Sequence, residues 1–192
     1  MRRTPVLLTA ALLVPWTGGA RHPTPTVVLR KQADVIRETL PEAREFFVRD
    51  VTIGRDDLAR IRRSIEFTPE DPDLKFYLGK GDGGRVEGVV FFPQVNTVHG
   101  PLEVGLTMTP DGAIARAVVT KATVETKPWV LEATATGLLR RFEGMRSGTE
   151  VAGALESLKG KLGAMPYFEA QVIATAVHHG LVLYGVLYSK GG

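Results

Sequence analysis

Few side chains in this chain have the chemistry to act on anything. Glu125 and Thr126 stand side by side, followed by Trp129, and together they offer a carboxylate, a hydroxyl and a broad aromatic face. Downstream, Gly163-Ala164-Met165 precedes Pro166 at the start of a long apolar stretch. If a helix begins there, its first free N–H groups and its dipole favour an anion such as a phosphate, and Gly163 and Ala164 leave the approach clear of side chains. Arg140, Arg141 and Lys161 are cations that could neutralise a phosphate, or could equally form an ordinary solvated face. His178 and His179 are adjacent, so on a helix they point in different directions and cannot share a metal. Met165 with His99 or a later histidine is a conceivable haem-ligand pair. No nucleophile–base–acid spacing, zinc signature or Walker sequence occurs, and the glycines between Gly79 and Gly84 lack the following helix of a dinucleotide fingerprint. Chemistry here would therefore belong to a cofactor, with the protein setting its position and potential.

The elements that must place these residues are legible in the apolar pattern. Gly88 to Phe92 and Leu102 to Met108 are dense in Val, Phe and Leu and predict strands. Thr109-Pro110-Asp111-Gly112 supplies a turn, and Ala113 to Glu125 returns as a second strand of an antiparallel pair. Lys75 to Leu78 is a further strand, joined to Val86 through a glycine-rich turn. Helices are expected over Val27–Leu40, Leu58–Ile65 and Val130–Phe142, over a short stretch from Val151 to Leu158, and from Pro166 to Leu181. Phe46 to Val48 reads as an edge strand or the buried close of a loop, and Leu183 to Tyr188 as a continued helix or a last strand. The expected fold is α+β, an antiparallel sheet with helices packed on one face.

Composition narrows the classes further. A chain of 192 residues with 44% hydrophobic residues can bury a real core. The net charge of +3 is small and dispersed, which gives no nucleic-acid footprint. Cysteine is absent, which excludes disulfides, thiolate metal sites and cysteine-linked haem. Arg2 and Arg3 precede an apolar run from Pro5 to Trp16, followed by Gly18-Gly19-Ala20, so residues 1–20 read as a secretory signal or an uncleaved anchor. The organisation expected is this signal, a linker and helix over residues 21–44, and one domain over residues 45–188. The protein is expected to be exported, to the periplasm or the extracytoplasmic face of a membrane.

From the sheet to the last helix, the order of elements and of Gly100-Pro101-Leu102, Asp111-Gly112-Ala113-Ile114, Glu125-Thr126 and Phe142-Glu143-Gly144 resembles a known family. It is the FMN-binding domain of peripheral subunits of the sodium-pumping NADH:quinone reductase and the Rnf complex, and of the nitrous oxide reduction regulator. The resemblance covers the region between positions 45 and 185. It implies that Glu125, Thr126 and Trp129 line a flavin ring and that Gly163, Ala164 and Met165 lie at its phosphate. Two departures accompany it. Lys127-Pro128-Trp129 follows Glu125-Thr126 where the family has Pro-Gly, and Leu162-Gly163-Ala164-Met165 replaces a Ser/Thr-Gly-Ala-Thr motif whose final threonine carries FMN through a phosphoester. A thioether has no hydroxyl to esterify, so covalent FMN at Met165 is excluded. The resemblance thus implies an electron-transfer or accessory component of a membrane redox complex with non-covalent FMN, or a cofactor-free module that keeps the fold and contacts a membrane-bound partner.

Overall fold

A computed structural model describes residues 24–69 and 71–188, and the expected signal segment lies outside these. β1 (Thr26–Val28), α1 (Gln32–Thr39), β2 (Glu45–Thr52) and α2 (Arg55–Ser64) come first. They are followed by β3 (Asp73–Lys80), β4 (Val86–Phe91), β5 (Gln94–Thr97), β6 (Gly100–Met108) and β7 (Ile114–Thr123). The chain closes with α3 (Lys127–Ala135), two 3-10 segments (Leu138–Phe142 and Ala152–Leu158) and α4 (Ala164–Leu183), which runs into a π turn over Tyr184–Tyr188. All seven strands pair antiparallel in the order β1-β7-β6-β4-β3-β2, with β5 folded onto β6. The α+β architecture is therefore the one expected.

The β6–β7 hairpin is closed by the chemistry of its turn. Gly112 adopts a φ of +82°, which its missing Cβ permits, and its N–H donates to the Thr109 carbonyl at 2.9 Å. Arg146 clamps the turn through Asp111, whose carboxyl it holds below the usual carboxylate range together with the Thr109 hydroxyl.

Strand alternation divides the sheet residues between two faces. Phe76, Val89, Phe91, Val104, Leu106 and Val119 belong to the main core, where they meet Ile61 of α2, Val130 and Ala133 of α3, and Ile173, Val177 and Leu181 of α4. On the opposite face Tyr77, Val90, Phe92 and Val118 pack under Val35, Ile36 and Leu40. The expectation of helices on one face holds for α2, α3 and α4, while α1 covers part of the other.

Three local expectations are corrected. Val27 and Val28, read as helix, form β1 because their backbone pairs with Lys121 and Ala122 of β7. The helix expected through Phe142 ends at Ala135, since Gly137 takes a φ of +78° and the apolar residues beyond it continue as a 3-10 turn. α4 begins at Ala164, so Pro166 is its third residue and not its first. β5, a four-residue strand with one buried apolar side chain, Val95, has no counterpart among the expected strands.

α4 is apolar on nearly all sides, as a helix enclosed by protein must be. With its π turn it is long and apolar enough to cross a membrane, but most of it is buried within the fold, as in a core helix. It approaches the sheet closely at Gly180, where a Cβ would stand 2.3 Å from Leu106 Cδ1 and 3.0 Å from Pro93 Cγ. Gly180→Ala is expected to cost about 1–3 kcal/mol by overpacking, read as a lower urea midpoint with an unchanged slope. His179, one residue earlier, stacks on Phe67 with ring centroids 3.9 Å apart, and burial lowers its pKa to about 4. The unfolded chain takes up this proton first as pH falls, so the stability present above pH 6.5 declines toward pH 4. His179→Phe should flatten that part of the acid limb in thermal melts taken across the range.

Candidate functional site

At the end of the sheet opposite the Asp111 turn, three chain segments separated in sequence meet. His99 sits between β5 and β6, in a turn fixed by Thr97, whose hydroxyl accepts the His99 N–H at 3.1 Å and donates to the Gly100 carbonyl at 3.1 Å. Glu125 follows β7, and its Oε1 lies 3.3 Å from His99 Nδ1. Trp129 of α3 and Phe168 of α4 present their rings edge-on to the imidazole, with centroids 5.9 and 6.0 Å away and interplanar angles of 74°. This T-shaped geometry aligns positive ring edges with negative faces.

Glu169 completes the group. It is 2% exposed, and its Oε1 has no hydrogen-bond partner among the described residues. Burial pushes its carboxyl above the usual range, and the Glu125 charge adds to the rise while His99 opposes it. Another buried carboxylate shows what a purely structural role looks like. Glu103 is 5% exposed but accepts from Gln32 at 2.9 Å, Thr120 at 2.8 Å and Lys121 at 2.7 Å. Every such bond offsets desolvation, and Glu169 Oε1 has none among the described residues. A buried carboxyl beside a half-exposed His–Glu pair can hold a proton and present it to something bound against the Trp129–Phe168 wall.

The residues proposed from sequence fall around this place unequally. Glu125 and Trp129 belong to it directly. Thr126 is buried and its hydroxyl is engaged in a turn, accepting from the Thr123 N–H at 3.3 Å and from the Thr123 hydroxyl at 3.0 Å. The Thr126 N–H in turn donates to Thr123 Oγ1 at 3.1 Å, so this residue shapes the entry to α3. Gly163 is the N-cap of α4 and Ala164 and Met165 are its first two residues, a turn ahead of Phe168 and Glu169. The cap has no side-chain hydrogen bond, Pro166 has no N–H, and the Tyr167 N–H returns to the Gly163 carbonyl at 2.9 Å. The Ala164 and Met165 N–H groups are thus the ones left for an anion.

His99 acquires its role only from these contacts, and Phe168 and Glu169 are absent from the candidates read in the sequence. A signal for Glu169 did exist: it lies three residues after Pro166 and four before Ile173, on the apolar side of the helix, where an acid is out of place.

A second concave surface lies at the other end of α3. A cavity of about 370 Å³ is lined by Arg30, Arg116 and Arg140 with Glu143, Thr134 and Leu139. Arg116 and Arg140 make no ion pair among the described residues, so this surface carries excess positive charge. Of the three cations only Arg30 is paired, with Glu38. Among the described residues no group of three or more His, Asp or Glu side chains is arranged to hold a metal ion.

Comparison of the chain with protein-family models, with curated proteins and with solved structures returned no match in any of the three.

Glu169→Gln should reveal the cost of the buried carboxyl. A raised folded-state pKa means that the protonated form is stabilised below the ordinary glutamate value of 4.5, and that this stability is lost as pH rises through the folded value. The variant is expected to melt higher than the parent at pH 7, by about 2–4 °C for each 1 kcal/mol relieved. The gap should close as pH falls toward 4.5. A variant less stable at pH 7 would show a carboxylate held by compensating bonds.

Proposed function

We propose that this protein is a redox accessory domain that holds flavin mononucleotide without a covalent bond and serves electron transfer in a membrane redox complex. The observation that carries this reading is the meeting of His99, Glu125, Trp129, Phe168 and Glu169 beside the first turn of α4. These residues suit the group. Two aromatic rings offer apolar surface to a planar ligand, a buried carboxyl with its Oε1 unpartnered among the described residues offers a hydrogen bond, and an uncapped helix start offers N–H groups to a phosphate. Met165 offers no hydroxyl for a phosphoester, so attachment would be reversible.

Bound flavin would supply one- and two-electron transfer, and the chain's own residues would do the rest. Trp129 and Phe168 would exclude water from one side. Glu169, whose carboxyl burial shifts toward its neutral form, with His99 opposing and the Glu125 charge adding to the shift, would take part in moving a proton at its carboxyl. The His99–Glu125 pair, more exposed than Glu169, would connect that proton to solvent. Export through the amino-terminal apolar segment would place the domain on the extracytoplasmic face of the membrane.

One observation favours a second reading, a cofactor-free module that contacts a membrane-bound partner. The chain departs from the family pattern where the flavin would be held, with Lys127-Pro128 after Glu125-Thr126 and Met165 in place of a threonine.

Titration of the full chain with FMN separates the two. On the first reading the protein binds one FMN per chain, quenches Trp129 emission and turns yellow, and Trp129→Ala weakens affinity about tenfold, equivalent to about 1.4 kcal/mol. A chain that takes up no flavin removes the redox reading, and stoichiometric co-purification with a membrane complex would then support the second.

A further inference from the structure

β2 is the last strand of the sheet, and among the described residues no strand pairs with its outer side. Alternate N–H and C=O groups of such an edge point away from the sheet and form a template for another strand. Edges are usually blunted by charge, proline or a covering loop. The middle of β2 is the opposite: Phe46, Phe47 and Val48 are 45%, 43% and 52% exposed. Because successive strand residues point to opposite faces, this edge leaves Phe46 and Val48 half-exposed on one face and Phe47 half-exposed on the other, where the Lys80 ammonium lies 4.5 Å from its ring centroid.

We propose that β2 is the interface of a homodimer, in which two copies of the strand pair antiparallel about a two-fold axis passing beside Phe47. The sequence Arg44-Glu45-Phe46-Phe47-Val48-Arg49-Asp50 is complementary to its own reverse. Centred on Phe47, the pairing sets Phe47 opposite Phe47, Phe46 opposite Val48, Glu45 opposite Arg49 and Arg44 opposite Asp50. Two-fold symmetry forms each unlike pair twice. Opposite charges and apolar pairs directly across strands stabilise a sheet, and like charges there destabilise it. Neighbouring registers lose this match. A half-residue shift is closed to a two-fold pair, because it would set side chains from opposite faces across from one another, and a whole-residue shift of the axis to Phe46 sets Glu45 opposite Phe47 and Arg44 opposite Val48. Moving it a whole residue to Val48 sets Phe46 opposite Asp50.

A single copy leaves the central charges without their complements. Glu45 has no ion pair among the described residues, and Arg49 lies 5.3 Å from the ring centroid of Tyr188 with no carboxylate. Arg44 and Asp50 are paired within the chain, with Asp82 at 3.1 Å and Lys75 at 2.8 Å, but both pairs are exposed and weak enough to be shared or exchanged. The charge pattern selects a second copy over an unrelated strand, since one sequence supplies both halves of every pair.

Sedimentation of the full chain over a range of concentrations should show a monomer–dimer equilibrium. Arg49→Glu places an acid opposite Glu45, and Glu45→Arg places a base opposite Arg49, so each single variant should sediment as a monomer where the parent is a dimer. Mixed together, the two should recover a dimer, because the arginine introduced at position 45 of one variant faces the glutamate introduced at position 49 of the other. Circular dichroism and melting confirm that each variant is folded. A variant that fails to fold leaves a separate test, since the chain has no native cysteine. Phe47→Cys should cross-link into a disulfide dimer on oxidation. Thr52→Cys should not, because its two copies would lie about 33 Å apart at a rise of about 3.3 Å per residue. A parent chain that stays monomeric at every concentration, single variants that still dimerise, or a mixture that does not recover the dimer would each overturn the proposal.

Discussion

The fold depends on the burial of α4 against the sheet. Pro166, Ala170, Ile173, Val177, Gly180 and Leu181 are all buried, and the larger aliphatic members each contribute about 1.5–3 kcal/mol when fully removed from water. Gly180 sets how near the helix can come, because Leu106 and Pro93 occupy the space a Cβ would need. The remaining elements follow this contact. α3 lies beside α4 with Val130 and Ala133 in the same core, and α2 closes it through Ile61. The π turn then brings Tyr184 and Tyr188 into a ring cluster with Phe76 and Phe91. One helix thereby sets the position of the aromatic cluster at one end and of Phe168 and Glu169 at the other.

That arrangement explains why an acid in α4 is informative. A core helix this apolar has no local reason to include Glu169, and the fold provides its Oε1 with no hydrogen bond in return. Glu103, also buried, is held by three donors, one of them a lysine, so this protein can satisfy a buried carboxylate where the need is structural. The difference between the two acids separates a carboxylate whose bonds support the sheet from one oxygen that is buried without a bond among the described residues.

Much of the sheet was legible in sequence because turn chemistry and strand alternation are local. Pro110 and Gly112 announced the β6–β7 reversal, and the dense Val, Leu and Phe runs announced β4 and β6. The misread elements are those decided by distant contacts. Thr26, Val27 and Val28 are β-branched and suit a strand, but the helical spacing of Val28, Val35, Ile36 and Leu40 absorbs them, and pairing with β7 decides the outcome. The apolar period from Val130 to Phe142 persists through a 3-10 turn, so periodicity alone did not show that Gly137 breaks the helix. For the site, Glu125 and Trp129 were visible as adjacent chemistry. Phe168 was not, because more than one element must fold before it meets His99, and Glu169 showed only as an acid out of place in an apolar helix, with nothing local to say what it faces.

The positions of the site and of the exposed edge bear on one another. His99 precedes β6 and Glu125 follows β7, whereas β2 lies three strand steps beyond β6, about 14 Å across the sheet at about 4.8 Å per step. A contact made along β2 would extend the sheet in its own plane and leave the His99 end of β6 and β7 open. The edge that exposes Phe46 to Val48 and the cluster that buries Glu169 are therefore separate solutions to separate constraints. In the first, apolar side chains remain in water with their backbone unpaired, a condition relieved by protein of matching sequence. In the second, a polar atom remains in the interior without a partner, a condition relieved by a group that can share its proton. Each residue set points to a different kind of occupant because the unmet physical need is different.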